Sequence, residues 1–152
     1  MSEEVEIEIV LSSDWHERPP TCQVSIDDTV ISNLTIVEKK EENNCNIVKW
    51  KGMLSEGDHF IKIKYFGKTN QDTVIDPITK EIKFDQLLHV DSVSIDQIDI
   101  GFLTYKLSKF YPDRTIRPDL DEILPQKITT GFNGEWQLMF QVPTYLWLLE
   151  NF

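Results

Sequence analysis

The chain has 152 residues, 40% hydrophobic and 27% charged, with a formal net charge of -11. That length supports one good core over residues 1–152 and leaves no room for a second full domain, and the composition excludes a disordered chain. Twenty-six acidic side chains against fifteen basic ones repel phosphate backbones and anionic lipid, so neither nucleic acid nor membrane insertion is expected.

In chain order, Val5, Ile7, Ile9 and Leu11 alternate with Glu4, Glu6 and Glu8. This is the two-residue period of a strand with one wet face. SSDWHERPP ends it, because two prolines cannot sit in a central strand. Cys22, Val24 and Ile26 start a strand that turns at Asp27-Asp28-Thr29 and returns through Val30, Leu34 and Ile36. Residues 21–37 therefore read as a hairpin, although Asp-Asp forces a tight turn less well than Asp-Gly. KKEENNCN is an exposed connection. Ile47, Val48 and Trp50 give a short strand, and GMLSEGDH reads as the turn after it.

Ile61, Ile63 and Tyr65 share one face of a strand, and Lys62 and Lys64 the other. Residues 67–86 exceed an economical hairpin loop, so they are expected to carry function or a small extra hairpin. Leu88 and Val90 have one parity and Val93 and Ile95 the other, which a bulge near Asp91-Ser92 reconciles. GFLTYKLSKF is ambiguous between strand and helical turn, and residues 112–125, rich in proline, read as a wrap over the core. Asn133-Gly134 is the strongest short hairpin signal in the chain. Trp136, Leu138, Phe140 and Val142 form a late strand, with Trp136 in the core. Thr144 is placed to cap a short helix, YLWLLENF, stable only when docked. Eight or nine strands with at most short helices predict an all-β, jelly-roll-like antiparallel β-sandwich with a short C-terminal helix.

Cys22 is in phase with Val24 and Ile26 and reads as a buried small hydrophobe. Pairing with Cys45 stays open, and neither cysteine has zinc-site spacing. MSEEVEIEIV is neither a signal peptide nor a presequence. Synthesis and folding in a cytoplasm are expected, with a virion as a compatible later location. No apolar run approaches the roughly 18 residues that cross a bilayer.

Three kinds of site are suggested by residue type. Asn70, Asp72 and Asp76, with Asp91 on the following strand, offer hard oxygens suited to calcium, though not at EF-hand spacing. Trp15, His16, Trp50 and Tyr65 are candidate carbohydrate platforms, Trp15 and His16 because they lie in a loop. The tail residues Tyr145, Trp147 and Phe152 either fold back as a clasp or are covered by a partner, another virion protein or a second copy. No GxSxG, HExxH or phosphate-binding loop is present, and no enzyme activity is expected.

Two resemblances follow. VEIEIVL (5–11), the Pro19-Pro20 loop, QVSIDD (23–28), IKIKYFGKTNQDT (61–73) and HVDSVSID (89–96) resemble the calcium-dependent xylan-binding class of carbohydrate-binding modules. That resemblance covers about residues 5–100. It implies a small jelly roll that binds a glycan, with a metal-binding acid at Asp91 and loop ligands near Asn70 and Asp72. The pattern departs from that class at Asp27-Asp28, where Asp-Gly is expected, and in the inserted residues 74–86. GFLTYKLSKFYPD, NGEWQLMF and PTYLWLLENF are similar to uncharacterised tailed-phage proteins, which implies a tail, fibre or capsid-surface component. The first expectation is a virion-associated structural or adhesion protein. The alternative is a carbohydrate-binding module with a calcium-stabilised jelly roll.

Overall fold

The structure, a computed structural model, describes residues 1–152. One sheet contains β1 (Ser2–Asp14), β4 (Asn46–Ser55), β8 (Leu87–Ile95), β9 (Ile98–Asp99) and β12 (Thr129–Thr130). Its order is β12-β8-β1-β4, with β9 on β8. The second contains β2 (Thr21–Ile26), β3 (Thr29–Thr35), β5 (Gly57–Phe66), β10 (Ser108–Pro112), β11 (Leu124–Pro125) and β13 (Gly134–Val142). Its order is β11-β10-β13-β5-β2-β3. A separate small hairpin joins β6 (Val74–Ile75) to β7 (Ile82–Phe84). The molecule is the antiparallel, jelly-roll-like sandwich that the alternation predicts, and residues 67–86 do carry an extra hairpin. No helix is long and apolar enough to cross a membrane.

Period-two patterning places the core. Val5, Ile7, Ile9 and Leu11 of β1 are buried with Val90, Val93 and Ile95 of β8. They join Cys22, Val24, Ile61, Ile63, Trp136, Leu138 and Phe140 from the other sheet in one apolar cluster. Each fully buried aliphatic or aromatic side chain contributes about 1.5–3 kcal/mol. Val10 pairs with Ser92 but Leu11 with Val90, so Asp91 is the extra residue of a bulge and parity switches there. Cys22 is buried and Cys45 exposed, and both are free thiols. Burial pushes the Cys22 thiol up to about 12, so it behaves as the small hydrophobe its phase suggests.

Three local expectations are corrected. GMLSEGDH is not a turn: β4 runs on to Ser55 and β5 begins at Gly57, whose φ of +121° makes the corner between sheets. Asn133-Gly134 does not close a hairpin either. Thr129–Thr130 pairs with β8 in one sheet while Gly134 opens β13 in the other, so the chain changes layer there. Finally, Thr144 starts α2 (Thr144–Asn151) instead of capping it. Its N–H donates to Glu3 Oε1 at 2.9 Å and its hydroxyl to Asp96, so an acid from β1 does the capping. GFLTYKLSKF divides into a helical turn, α1 (Leu103–Lys106), and β10.

The first residue of the Asp27-Asp28 turn ties the β2–β3 corner to the start of β5. Asp27 Oδ1 accepts the Phe60 N–H at 2.8 Å, and Oδ2 lies 2.7 Å from His59 Nδ1. His59 Nε2 lies 2.6 Å from the Ser55 carbonyl. Both partners are acceptors, so the doubly protonated ring satisfies both. Burial opposes that charge, but the bonds to Asp27 and Ser55 outweigh it and hold the pKa above its ordinary 6.5. Folded protein therefore binds this proton more tightly than unfolded chain. The resulting stability is fully present below the unfolded value and is lost as pH rises through the folded one. The melting temperature is expected to fall as pH rises through and above the ordinary histidine value of about 6.5, and His59→Gln to flatten that slope. Circular-dichroism melts across the window check this, and an unchanged slope in the variant rejects it.

Candidate functional site

One end of the sandwich gathers the β5–β6 loop, the β7–β8 junction and the wrap formed by residues 113–133. Thr69 and Asp72 make a reciprocal cap on the short 3-10 turn Asn70–Asp72, which fixes the first of these loops. Arg18 reaches the Asp72 carboxylate through Nε and Nη2 and also donates to the Gly67 carbonyl. Burial raises the Asp72 pKa, but the Arg18 and Thr69 bonds more than reverse it and hold it below the usual carboxylate value. In the wrap, Arg117 makes a two-point bond to Asp119, at 2.9 and 2.8 Å, and lies 4.9 Å over the Phe132 ring. The Asn133 amide accepts the Lys68 N–H and donates to the Lys68 carbonyl, both at 2.9 Å.

Between these walls lies an open cleft of about 390 Å³. Ile116 and Phe132 line it together with Asn70, Thr73, Asp113 and Asn133. A recess that combines apolar side chains with several polar groups has the elements of a small-ligand site.

The four expected calcium ligands do not converge. Asn70 lines the cleft, but Asp72 is committed to Arg18 and Thr69. Asp76 accepts the N–H groups of Ile78 and Thr79, so it stabilises its own turn. Asp91 points outward from the bulge and pairs with Lys40 at 3.3 Å. No group of three His, Cys, Asp or Glu side chains comes together anywhere in the chain. Loop acids here are spent on turns and ion pairs, and calcium does not fit this donor set.

The expected sugar platforms also separate. Tyr65 is 1% exposed and its hydroxyl donates to Gln86 Oε1 at 2.6 Å, so it is a core residue with no ring face to offer. Trp50 is half-buried on the inner face of edge strand β4, its indole over Gly52. Trp15 and His16 do share a surface recess. Lys39 Nζ lies 4.3 Å above the Trp15 ring, and His16 stacks on Phe84 at 4.0 Å, so one face of each ring is occupied. The tail set splits as well. Trp147 is buried against Phe140 and serves as the clasp, whereas Tyr145 and Phe152 are exposed.

The residues that build the cleft, Lys68, Asp113, Arg117, Phe132 and Asn133, carry no local sequence signal. Asn133 was legible only as a turn former, and Lys68 as one more loop lysine.

No family model and no curated protein matches the sequence. Two solved structures match its fold. The first, vCBM60 in complex with galactobiose, has a TM-score of 0.52 at 7% identity, covering 88% of this chain and 96% of that one. The second is a selenomethionine form of vCBM60, from work linking two families of calcium-dependent carbohydrate-binding modules by circular permutation. It has a TM-score of 0.50 at 8% identity, covering 88% and 89%. The shared property is the fold. This chain and those two structures have a β-sandwich in common, and neither likeness supports the tailed-phage resemblance.

Proposed function

We propose that this protein is a non-catalytic module that binds a neutral oligosaccharide in the cleft between the β5–β6 loop and the 113–133 wrap. One observation carries the reading. An open recess lined by aromatic and aliphatic side chains together with amide, hydroxyl and carboxylate groups sits at the loop end of a sandwich whose fold resembles that of a carbohydrate-binding module. A sugar ring offers C–H groups to Phe132 and Ile116, while its hydroxyls suit Asn70, Thr73 and Asp113. Neutrality follows from charge. Lys68 is paired with Asp85 and Arg117 with Asp119, so the cleft has no uncommitted cation for a uronate or sulfate, and the whole chain is acidic.

The test is calorimetric titration with galactobiose and other neutral disaccharides, alongside acidic sugars as controls. Phe132→Ala and Asn70→Ala are each expected to weaken binding about tenfold, and Trp15→Ala to leave it unchanged. Binding lost only on changing Trp15 moves the site to the neighbouring recess. No binding to any sugar rejects the proposal.

A further inference from the structure

Lys68 holds the loop end together in an unusual way for a surface-loop lysine. Its side chain is only 11% exposed, and its Nζ donates to Asp85 Oδ1 at 2.6 Å and to the Gly131 carbonyl at 2.5 Å. The same Asp85 oxygen accepts the Thr73 hydroxyl at 2.7 Å and the Gln86 N–H at 2.8 Å. The Lys68 backbone is held at the same time by both ends of the Asn133 amide. One residue therefore joins three segments far apart in sequence: its own loop, the β7–β8 junction and the 131–133 loop. Gly131 itself packs against Leu87, where a Cβ would lie 2.9 Å from Cδ2, and its carbonyl is the part that Lys68 engages.

Tying several loops to one cationic centre is work that a bound calcium can do, using about six to eight oxygen ligands. Here the centre is already an ammonium group. Only one carboxylate faces it; of the other acids of this end, Asp72 is held by Arg18 and one oxygen of Asp113 by Thr115. A lysine is a point charge with three donors and satisfies such a cluster without any free ion. We infer that Lys68 supplies from within the chain the cation that orders this loop end, so that its order and its sugar binding are independent of calcium. The sugar-binding half of this inference rests on the function proposed above.

The experiment has two arms. In the first, wild type and Lys68→Met are melted in excess EDTA and in about 1 mM calcium, because any ion bound only by the native state must raise the melting temperature. Wild type is expected to melt at the same temperature in both. Lys68→Met is expected to melt roughly 5–10 °C lower, its Asp85 carboxylate left without a counterion. A calcium-dependent rise in wild type overturns the inference, as does a Lys68→Met melt equal to wild type. Should that variant fail to fold, the wild-type comparison alone decides. In the second arm, galactobiose is titrated into wild type in the same two media. Equal affinity supports the inference, and binding seen only with calcium overturns it while leaving the glycan reading intact. No binding in either medium counts against the glycan reading alone and leaves the Lys68 tie to the melts.

Discussion

Trp136→Ala is expected to destabilise the fold by about 3–5 kcal/mol, a large share of the roughly 5–15 kcal/mol that a domain possesses. The indole is 1% exposed on β13, between Phe110 of β10 and Ile63 of β5 in the ladder. Its removal opens a cavity in the middle of the second sheet. It also takes away the Nε1–H that donates to the Lys127 carbonyl at 2.7 Å, the contact that pins the wrap onto the sandwich. A melting temperature lower by about 6–20 °C follows. Trp136→Phe separates the two effects. It keeps most of the ring and leaves the carbonyl unpaired, at a cost of about 1–3 kcal/mol. Urea unfolding of the three proteins reads both numbers, and an alanine variant within 1 kcal/mol of wild type contradicts the packing described.

Gly134→Ala is the second large effect. Gly134 has a φ of +156°, and an added Cβ would lie 2.4 Å from the Tyr111 carbonyl oxygen and 2.9 Å from Pro112 Cα. Those are backbone atoms of the adjoining strand, held in register opposite Gly134, so they cannot swing aside. Strain and overpacking together predict a loss of about 2–5 kcal/mol. Gly52→Ala is the informative contrast. Its Cβ would also meet an atom at 2.4 Å, but that atom belongs to the Trp50 side chain at the edge of the other sheet. A half-buried indole on an edge strand yields more readily than paired backbone, and the loss there is expected to be clearly the smaller of the two. Thermal melts rank the two, and equal losses contradict the distinction between fixed backbone and movable side chain.

The sandwich was legible wherever burial leaves a period of two. Val5 to Leu11 and Trp136 to Val142 declare their faces, and the parity break at Asp91 gives away the bulge without any structure. Sequence reasoning failed where a residue's role is set by a partner distant in the chain. Asn133-Gly134 has the chemistry of a hairpin turn, yet the neighbour that matters to Asn133 is the Lys68 backbone. Tyr65 has the chemistry of a sugar platform, but alternation with Lys64 turns it inward, where Gln86 takes its hydroxyl. Asp72 and Asp76 have the chemistry of metal ligands, but Arg18 and local N–H groups reach them first. Amino-acid type states what a side chain can do, and the competing partners that decide the matter come from topology.

The position of β13 within its sheet bears on how the protein is made. β13 lies between β10 and β5, and its last pairing joins Val142 to Gly57. A nascent chain still short of residue 134 carries β5 with one long side unsatisfied and the Ile61–Ile63 row without its cover. Contacts this distant close slowly, and open strand edges invite pairing with neighbouring molecules. Assembly of the second sheet therefore waits until residues 134–142 have left the ribosome. Lys62 and Lys64, which alternate with the apolar residues along β5, then act as a charged guard on the exposed edge during translation.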